Sequence, residues 1–295
     1  MKGFISRLAR HGATNFVLTN RIPRRTLTRA FGWFSRIENP LVCAASLAAW
    51  RLFTDLDLSE ARDTHFRSLH AVFTRELKPG ARPADPDPGV IASPCDGIVG
   101  ACGPINGESV FQAKGFTYSL GDLLCDPELA GMHRDGCYAT LRLTSAMYHH
   151  FHAPCDCTVR RTTYVPGDVW NVNPPTLERV PRLFCRNERA VIRAEMADGL
   201  GLTLVPVAAV LVASLRLRYA DVRLHLGYRG PAEIVSDAAL RKGQPMGWFE
   251  HGSTILVFAP AGVRLADGIA TGAQLRAGEP LMRLPGRDAT EDQSR

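Results

Sequence analysis

The stretch Glu250-His-Gly-Ser-Thr254 leads directly into the apolar run Ile255-Leu-Val-Phe258, which has the composition of a buried β-strand. Gly252 carries no Cβ, so the carbonyl that precedes Ser253 can be approached closely and the backbone can take unusual angles. This arrangement suits an attack by the Ser253 hydroxyl on its own preceding peptide bond. An ordinary surface turn before a strand is the alternative that these five residues leave open.

The residues upstream of this strand predict a β-rich core. From Val90 onward, short runs rich in Val, Ile, Leu, Tyr and Phe alternate with Gly and Pro breaks. Because helix-length segments seldom separate these runs, we predict an α+β fold with N-terminal amphipathic helices on a mostly antiparallel core. The predicted strands include Ile98–Ala101, Tyr138–Leu143, Cys157–Val165, Ala190–Glu195 and Leu202–Leu215.

The segment from Lys78 to Pro83 is rich in turn-forming residues and divides the chain in two. We predict a helical, basic, membrane-associating region with its linker at residues 1–83. A β-rich catalytic core is predicted at residues 84–295. The pattern of residues 66–73 predicts one more amphipathic helix shortly before the linker.

The N-terminal forty residues carry eight cationic side chains against one anion, Glu38, whereas the rest of the chain is close to neutral. At about 100° per residue, Arg25, Arg29 and Arg36 fall on one side of a helix. The opposite side is apolar and aromatic, with Leu27, Phe31 and Phe34, and with Trp33 near the boundary. Such a helix suits an anionic lipid interface. An ordinary helix packed on the core is the open alternative, and nucleic acid is not expected as a partner.

Cysteine usage and hydropathy bear on location. The eight cysteines contain no Cys-x-x-Cys pair, so we interpret them as reduced thiols of a cytosolic protein. The opening residues lack the continuous apolar core of a signal peptide. The longest apolar runs, at 41–50 and 202–215, are shorter than the roughly 20 residues that span a bilayer. We therefore expect a peripheral protein at the cytoplasmic face of the cell membrane.

The loop Ser93-Pro-Cys-Asp-Gly97 supplies a candidate catalytic carboxylate. It holds one acidic side chain, Asp96, directly before a glycine and shortly before a predicted strand. A Pro-x-Asp-Gly sequence is also a common turn, and that simpler interpretation stays open for this loop taken alone.

The segment Tyr148-His-His-Phe-His-Ala-Pro-Cys-Asp-Cys157 contains three of the nine histidines within four positions. In an extended segment, His150 and His152 lie on one face and His149 lies on the other. A histidine pair of this spacing, with a nearby cysteine, leaves a metal site open. A metal-dependent hydrolase that uses the 149–157 cluster is therefore one alternative function.

The order of several short motifs resembles that of the phosphatidylserine decarboxylase family, from about residue 66 to about residue 284. Each motif is modest alone, and their joint occurrence in the family's order carries the resemblance. The motifs are Phe73-Thr-Arg-Glu-Leu-Lys78, Ser93-Pro-Cys-Asp-Gly97, Ala113-Lys-Gly-Phe-Thr-Tyr-Ser-Leu120, Tyr148-His-His-Phe-His-Ala-Pro154, Tyr164-Val-Pro-Gly-Asp168, Phe184-Cys-Arg-Asn-Glu-Arg189, Lys242-Gly-Gln-Pro-Met-Gly247 and Gly252-Ser-Thr254.

The resemblance implies a self-processing zymogen. Asp96, His152 and Ser253 match the family's aspartate, base and nucleophile, laid out as in serine hydrolases. It implies autocatalytic cleavage between Gly252 and Ser253 into a β chain, 1–252, and an α chain, 253–295. Ser253 then becomes a covalent pyruvoyl group, which forms a Schiff base with the substrate amine and accepts electrons as CO2 departs. His149 matches a second family histidine, expected in substrate binding or reprotonation.

The implied reaction is a step of phospholipid biosynthesis that turns phosphatidylserine, at an anionic phospholipid membrane, into phosphatidylethanolamine and CO2. The implied assembly is a heterodimer of the two self-cleaved chains, and a further homodimer is left open. The resemblance implies no metal cofactor. The sequence departs from the family at His251, where an aliphatic or aromatic residue is usual. A non-catalytic lipid-binding protein is the remaining alternative, which an uncleaved chain without CO2 release would favour.

Overall fold

The computed structural model describes residue 16 and residues 20–113, 116–211, 214–250 and 253–286. The predicted scissile residue Gly252 and its neighbour His251 lie outside the described residues. So do positions 1–15, with part of the basic region, and the C-terminal tail. The described helices are α1 (Arg24–Ser35), α2 (Pro40–Arg51), α3 (Leu69–Phe73), α4 (Leu120–Leu124), α5 (Pro127–Met132), α6 (Pro174–Leu177) and α7 (Leu183–Arg186).

Strands are the main regular structure after residue 90, and every pairing between them is antiparallel in the described residues. The predicted α+β fold with a mostly antiparallel core is confirmed. The strands are β1 (Val90–Ala92), β2 (Gly97–Pro104), β3 (Ser109–Ala113), β4 (Phe116–Ser119), β5 (Cys137–Arg142), β6 (His150–His152), β7 (Cys157–Val165), β8 (Arg189–Met196), β9 (Gly201–Val207), β10 (Ser214–Leu217), β11 (Val222–His225), β12 (Glu233–Leu240), β13 (Pro245–Phe249), β14 (Thr254–Ala259), β15 (Arg264–Leu265), β16 (Gln274–Leu275) and β17 (Pro280–Arg283).

The largest sheet has the strand order β12-β7-β8-β9-β14-β5-β2-β16, so β14 lies near its middle. Both faces of β14 are buried, which explains why its sequence is continuously apolar although the sheet is antiparallel. Ile255 and Val257 belong to the hydrophobic core on one face, and Leu256 and Phe258 belong to the core on the other. The strand after Ser253 is therefore held on both sides and on both faces.

A second sheet, with the order β11-β10-β13-β6, carries the histidine segment on its edge strand β6. Its strand β13 leads toward Ser253, since it ends at Phe249. The apolar run at 202–215, expected as one strand, divides into β9 of the large sheet and β10 of this second sheet. The chain thus passes from the large sheet to the second sheet between β9 and β10, and it returns to the large sheet between β13 and β14, next to Ser253.

The N-terminal helices pack against this core. The predicted basic helix is present as α1, and its Arg24 donates to Asp168 at 2.5 Å while the guanidinium stacks 3.7 Å from the Trp170 ring centroid. Asn39 caps α2, since its side-chain oxygen accepts a hydrogen bond from the Leu41 amide at 2.9 Å. These contacts show that part of the surface of α1 packs on the core, as in the alternative of an ordinary packed helix. The domain boundary at residues 83 and 84 stays a prediction.

The helix predicted over residues 66–73 begins only at Leu69. Ser68 lies outside the helix, with extended backbone angles, and its hydroxyl accepts a hydrogen bond from the Ala71 amide at 3.2 Å. Serine in this position satisfies a free amide of the first turn and so starts the helix there. Among the described residues, none of the helices combines the length and apolar character needed to cross a bilayer.

Candidate active site

Ser253 is fully buried at the start of β14, between two neighbouring strands. Its carbonyl accepts a hydrogen bond from the Leu143 amide at 2.8 Å, just past β5. Its hydroxyl donates to the carbonyl oxygen of Val207, the last residue of β9. Ser253 is therefore held by main-chain groups at the ends of β5 and β9 and excluded from bulk water.

A cavity of about 690 Å³ opens beside these neighbours of Ser253. We call it the apolar cavity, and its lining comes from helices α1 to α3 on one side and from the loops at the ends of β5 and β9 on the other. The lining is mostly apolar, and a drug-sized ligand pocket has a similar volume. The lining residues are Phe31, Phe34, Ser46, Ala49, Trp50, Leu69, Phe73, Arg142, Leu143, Thr144, Ser145, Asn171, Val172, Asn173, Ala209, Val210 and Leu211.

Asp96 is buried and fully engaged, so it is more than a turn residue. Its two carboxylate oxygens each accept from Arg82 at 2.7 Å, and the Ala277 amide donates to it at 2.9 Å. Both side chains of the ion pair are about nine-tenths buried. A paired geometry of this kind holds a carboxylate in one orientation. The structure places Asp96 at the edge of the site, where β2 begins.

His152 lies next to the Asp96 loop, since its amide donates to the Pro94 carbonyl at 2.7 Å. Its ring contacts the Gly243 carbonyl at 2.9 Å through Nδ1 and the Tyr148 hydroxyl at 3.2 Å through Nε2. Burial lowers the pKa of His152, and the negative charge of Asp96 opposes that effect. Asp96 and His152 are thus brought together, whereas Ser253, His152 and Asp96 form no hydrogen bonds with one another here.

His149 points away from the other two histidines and is completely buried. Its ring packs edge-on against Phe73, with centroids 5.7 Å apart, near the inner wall of the apolar cavity. Neither ring nitrogen makes a well-aligned hydrogen bond among the described residues, although the backbone carbonyls of Phe73 and Thr144 lie close enough to raise its pKa against the effect of burial. Burial lowers the pKa of His149 to about 3, so the ring is neutral near pH 7. A neutral imidazole can donate to one ligand atom and accept from another when its nitrogens are not held by strong protein hydrogen bonds.

The histidine cluster does not converge on a common point. His150 stacks between Tyr148 and Trp248, with centroid distances of 4.9 and 5.3 Å, and its Nε2 contacts the Thr74 carbonyl at 3.0 Å. Tyr148 also stacks 5.7 Å from His152, so His150 and His152 share a face, as their spacing predicts. In the part of the chain that the structure describes, no group of three or more His, Cys, Asp or Glu side chains is arranged to hold a metal.

Glu250 forms a charged cluster just upstream of Ser253 that the sequence did not reveal. Its Oε2 atom accepts from Arg36 directly after α1, from Arg223 of β11 at 2.6 Å and from the Ser214 hydroxyl at 2.5 Å. The carboxylate side chain is only 9% exposed. This cluster joins the end of the N-terminal helix to the chain that leads into the predicted cleavage site.

Arg82 and Arg142 were also missed, for different reasons. Arg82 lies in the turn-rich linker, where the Pro and Gly residues suggested only a connection. A signal was present, because an arginine between Ala81 and Pro83 is unusual in a purely flexible linker, but its partner Asp96 is not adjacent in sequence. Arg142 ends an otherwise apolar strand, which is the one local sign that it faces a special environment.

Comparisons with known proteins cover the region that contains these residues. The family model described as phosphatidylserine decarboxylase matches residues 69–283. A phosphatidylserine decarboxylase proenzyme of Erwinia tasmaniensis is 35% identical over 288 residues, which cover 93% of this chain and 96% of the relative. A proenzyme of the same name from Vibrio cholerae is 39% identical, covering 88% of this chain and 94% of the relative. One from Halorhodospira halophila is 43% identical, covering 79% and 81%.

The matched region contains Asp96, His149 and His152, the whole of β14 and most of the lining of the apolar cavity. The relatives match over most of their own length, so the similarity extends over the site and the fold together. The chain belongs to the phosphatidylserine decarboxylase family, a family of pyruvoyl-dependent carboxy-lyases.

Proposed function

We propose that this chain converts phosphatidylserine to phosphatidylethanolamine and CO2 after cleaving itself between Gly252 and Ser253. The relatives named phosphatidylserine decarboxylase proenzyme support this proposal, since a proenzyme is a chain that is processed. The observation that carries it is the placement of Ser253. This buried serine begins a central strand whose neighbours, Leu143 and the segment after Val207, line an apolar cavity.

Self-cleavage is proposed to use Ser253 as nucleophile and His152 as base. Attack on the carbonyl of the preceding residue converts the amide into an ester, and the proton of the hydroxyl passes through the imidazole to the released amine. Elimination of the ester then frees the carboxylate of residue 252 and leaves dehydroalanine, which water hydrolyses to the pyruvoyl group and ammonia. Asp96 supports this step through its charge, which favours the protonated form of His152 against the effect of burial. Val207 and Tyr148 now hold the hydroxyl and the ring, so both hydrogen bonds must be exchanged for one between Ser253 and His152.

The cofactor is proposed to be a pyruvoyl group at position 253. Such a group supplies an electron-accepting carbonyl that stabilises the charge left when CO2 departs. The surroundings of Ser253 fit this role, because the site is dry and has an apolar cavity beside it. His149 is proposed to contact the substrate and to hold or return a proton at its α-carbon. Its neutral ring, with neither nitrogen in a well-aligned hydrogen bond, supports that assignment.

The N-terminal helices are proposed to bind an anionic phospholipid membrane. Of the nine large hydrophobic side chains that are exposed in the described residues, six lie between positions 27 and 53. Trp33 and Leu41 are the most exposed of these, at 71% and 79%. Arg25 and Arg29 are exposed on the same helical region. Apolar side chains beside cations suit the boundary between acyl chains and anionic head groups. We propose that this surface binds the cytoplasmic face of the cell membrane peripherally.

The proposed active unit is a heterodimer of the two fragments, with a further homodimer as an open arrangement. After cleavage, β14 of the α chain would stay paired with β5 and β9 of the β chain. Its six residues are fully buried, so separation of the fragments would expose the middle of the core. The two fragments are therefore expected to copurify under native conditions.

Intact-mass measurement of the purified protein tests the proposal directly. We expect two masses, with the C-terminal fragment blocked by a ketone, and CO2 release from phosphatidylserine in vesicles. Ser253→Ala should stay one chain and release no CO2. Ser35→Ala is the matched control, since Ser35 is also fully buried and also donates to a carbonyl, that of Gly32 at 3.1 Å. A full-length wild-type chain with decarboxylase activity contradicts the pyruvoyl mechanism.

The role of His149 is tested separately from cleavage. His149→Asn should leave two fragments but lower kcat for CO2 release by at least about 100-fold, as expected for loss of a proton-transfer group. His133→Asn is the matched control, because His133 is equally buried, its pKa is lowered to about 4 by burial, and it contacts Thr203 away from the cavity. Equal activity of the two variants would remove His149 from the reaction. Activity that a chelator abolishes in an uncleaved chain would favour the metal-dependent hydrolase instead.

A further inference from the structure

Arg142 is the single charged residue among the described residues that line the apolar cavity. It is the last residue of β5 and lies directly opposite Thr254 in the sheet. The two side chains therefore project from the same face, together with Leu256, which belongs to the core that also includes Ala209 and Val172 of the cavity wall. The cation thus lies on the cavity side of the strand, beside the residue that follows Ser253.

The guanidinium of Arg142 has no hydrogen bond and no ion pair with any described residue. It is half-buried, and burial lowers the pKa of this arginine, so its charge is held at a cost. Other arginines near the site differ in this respect. Arg24, Arg36 and Arg82 each pair with a carboxylate, and the buried Arg75 donates to the carbonyls of Val72 and Ala146. Arg142 alone among these has no acceptor within hydrogen-bond distance among the described residues, and it lines a mostly apolar cavity.

A half-buried cation in an apolar cavity suits a ligand that brings both an anion and hydrocarbon. Guanidinium groups bind phosphate and carboxylate through two parallel hydrogen bonds. A glycerophospholipid fits both parts, because its phosphate can meet Arg142 while its acyl chains lie among Phe31, Trp50 and Phe73. The alternative neutralising group, a side-chain carboxylate, is missing from the described lining.

We propose that Arg142 binds the phosphate of the phospholipid substrate and sets the head group's position relative to residue 253. This proposal rests on the proposed function and specifies one of its binding contacts. Phosphate is favoured over the substrate carboxylate because only the phosphate keeps its charge through the reaction. An ion pair with the carboxylate would stabilise the ground state and be lost as CO2 forms, which would slow the reaction.

The spacing of the groups agrees with this assignment. In phosphatidylserine only a few covalent bonds separate the amine from the phosphate. Arg142 and Thr254 are direct neighbours on adjacent strands, about 5 Å apart at their Cα atoms. The arginine side chain lines the cavity. One head group can therefore place its amine at residue 253 and its phosphate at Arg142.

Binding is tested with a short-chain phosphatidylglycerol, a phosphodiester that has neither amine nor carboxylate. Calorimetric titration of the purified protein should give a Kd that is about 10- to 100-fold weaker for Arg142→Met, with partial recovery in Arg142→Lys. Diacylglycerol of the same chain length, which lacks phosphate, should bind all variants equally. Arg193→Met is the control variant, because Arg193 is a half-buried arginine on β8 outside the cavity lining.

Kinetics on phosphatidylserine provide the second measurement. We expect Arg142→Met to be cleaved as fully as wild type, by intact mass, and to raise KM by a factor of about 10 or more. Equal lipid affinity in Arg142→Met and wild type overturns the proposal, and so does a matching loss of diacylglycerol binding. If wild type binds the phosphodiester through Arg142 but releases no CO2, the proposed function fails while the phosphate site stands.

Discussion

Replacing Glu250 by Gln should destabilise the junction between the N-terminal helix and the strand that leads to Ser253. Oε2 of Glu250 accepts from Arg36, Arg223 and Ser214, and its side chain is 9% exposed. Both arginine side chains are 39% exposed, so each ion pair contributes less than a buried one, about 1 kcal/mol. Glutamine keeps an oxygen for the Ser214 hydroxyl. The expected loss is therefore about 2 kcal/mol of unfolding free energy.

The measurement is thermal unfolding in the Ser253→Ala background, which keeps the chain whole and avoids mixtures of processed and unprocessed protein. A loss of about 2 kcal/mol corresponds to a decrease in Tm of roughly 4–8 °C for a chain of this size. Glu233→Gln is the matched control. Its ion pair with Arg161 measures 3.4 Å, and the two side chains are 56% and 46% exposed, so a change below about 0.5 kcal/mol is expected.

The pH dependence of the same variant gives an independent test. Burial raises the pKa of Glu250, but the Ser214 hydrogen bond and the charges of Arg223 and Arg36 outweigh it, so the net pKa is lowered. A carboxylate whose folded pKa is depressed stabilises the protein above its unfolded pKa, about 4.3, and loses that contribution as pH falls through the folded value. The Tm difference between Glu250→Gln and its parent should be full at pH 7 and shrink below about pH 4.

Two outcomes refute this account of Glu250. One is the same Tm for the Glu250→Gln and Glu233→Gln variants at pH 7. The other is a Tm difference that widens in acid. In the chain with Ser253 intact, the same substitution should also lower the fraction cleaved at early times, because the scissile segment follows directly after Glu250.

Three further predictions follow from other contacts. The Asp96 charge pairs with Arg82 and favours the protonated form of His152, so Asp96→Asn should slow cleavage by at least about tenfold in a time course of intact mass. Unchanged cleavage would leave Asp96 a structural residue. Arg25→Glu with Arg29→Glu should weaken sedimentation with anionic vesicles and reduce its salt dependence, whereas neutral vesicles should bind equally little before and after. Burial raises the pKa of Glu188 to about 7, so this carboxyl binds its proton more tightly in the folded protein, and the free energy of unfolding falls as pH rises from about 4 to 7. Glu188→Gln should therefore raise Tm at pH 8 and change it little at pH 4. A lower Tm at pH 8 would contradict this.

The candidate processing residues could be named from sequence because several short motifs occur together in the order of one family. Ser253 follows a glycine and precedes a continuous apolar run, and that run is indeed β14, buried on both faces. The spacing of the histidine segment also predicted correctly that His150 and His152 share a face. Their proposed roles remain predictions, since the structure shows each of these side chains bonded to a different partner.

The residues that complete the site could not be predicted, because each depends on a partner that is distant in sequence. Arg82 looked like part of a linker until the fold placed it against Asp96. Glu250 looked like the start of a turn until strands β10 and β11 and helix α1 brought Ser214, Arg223 and Arg36 to one oxygen. Nothing in the local pattern distinguishes these contacts from solvent-exposed charges.

The sequence by itself determined what depends on local order: a β-rich chain, a cationic N-terminal helix, and a serine directly before a buried strand. Hydrophobic periodicity and backbone freedom operate over a few residues, so they can be read without knowing the fold. Only the tertiary structure decided which groups meet. Strand order brings Arg142 beside Thr254 and closes the apolar cavity under α1, α2 and α3. Pairing between distant segments depends on the packing of the whole chain, which no single stretch of sequence encodes.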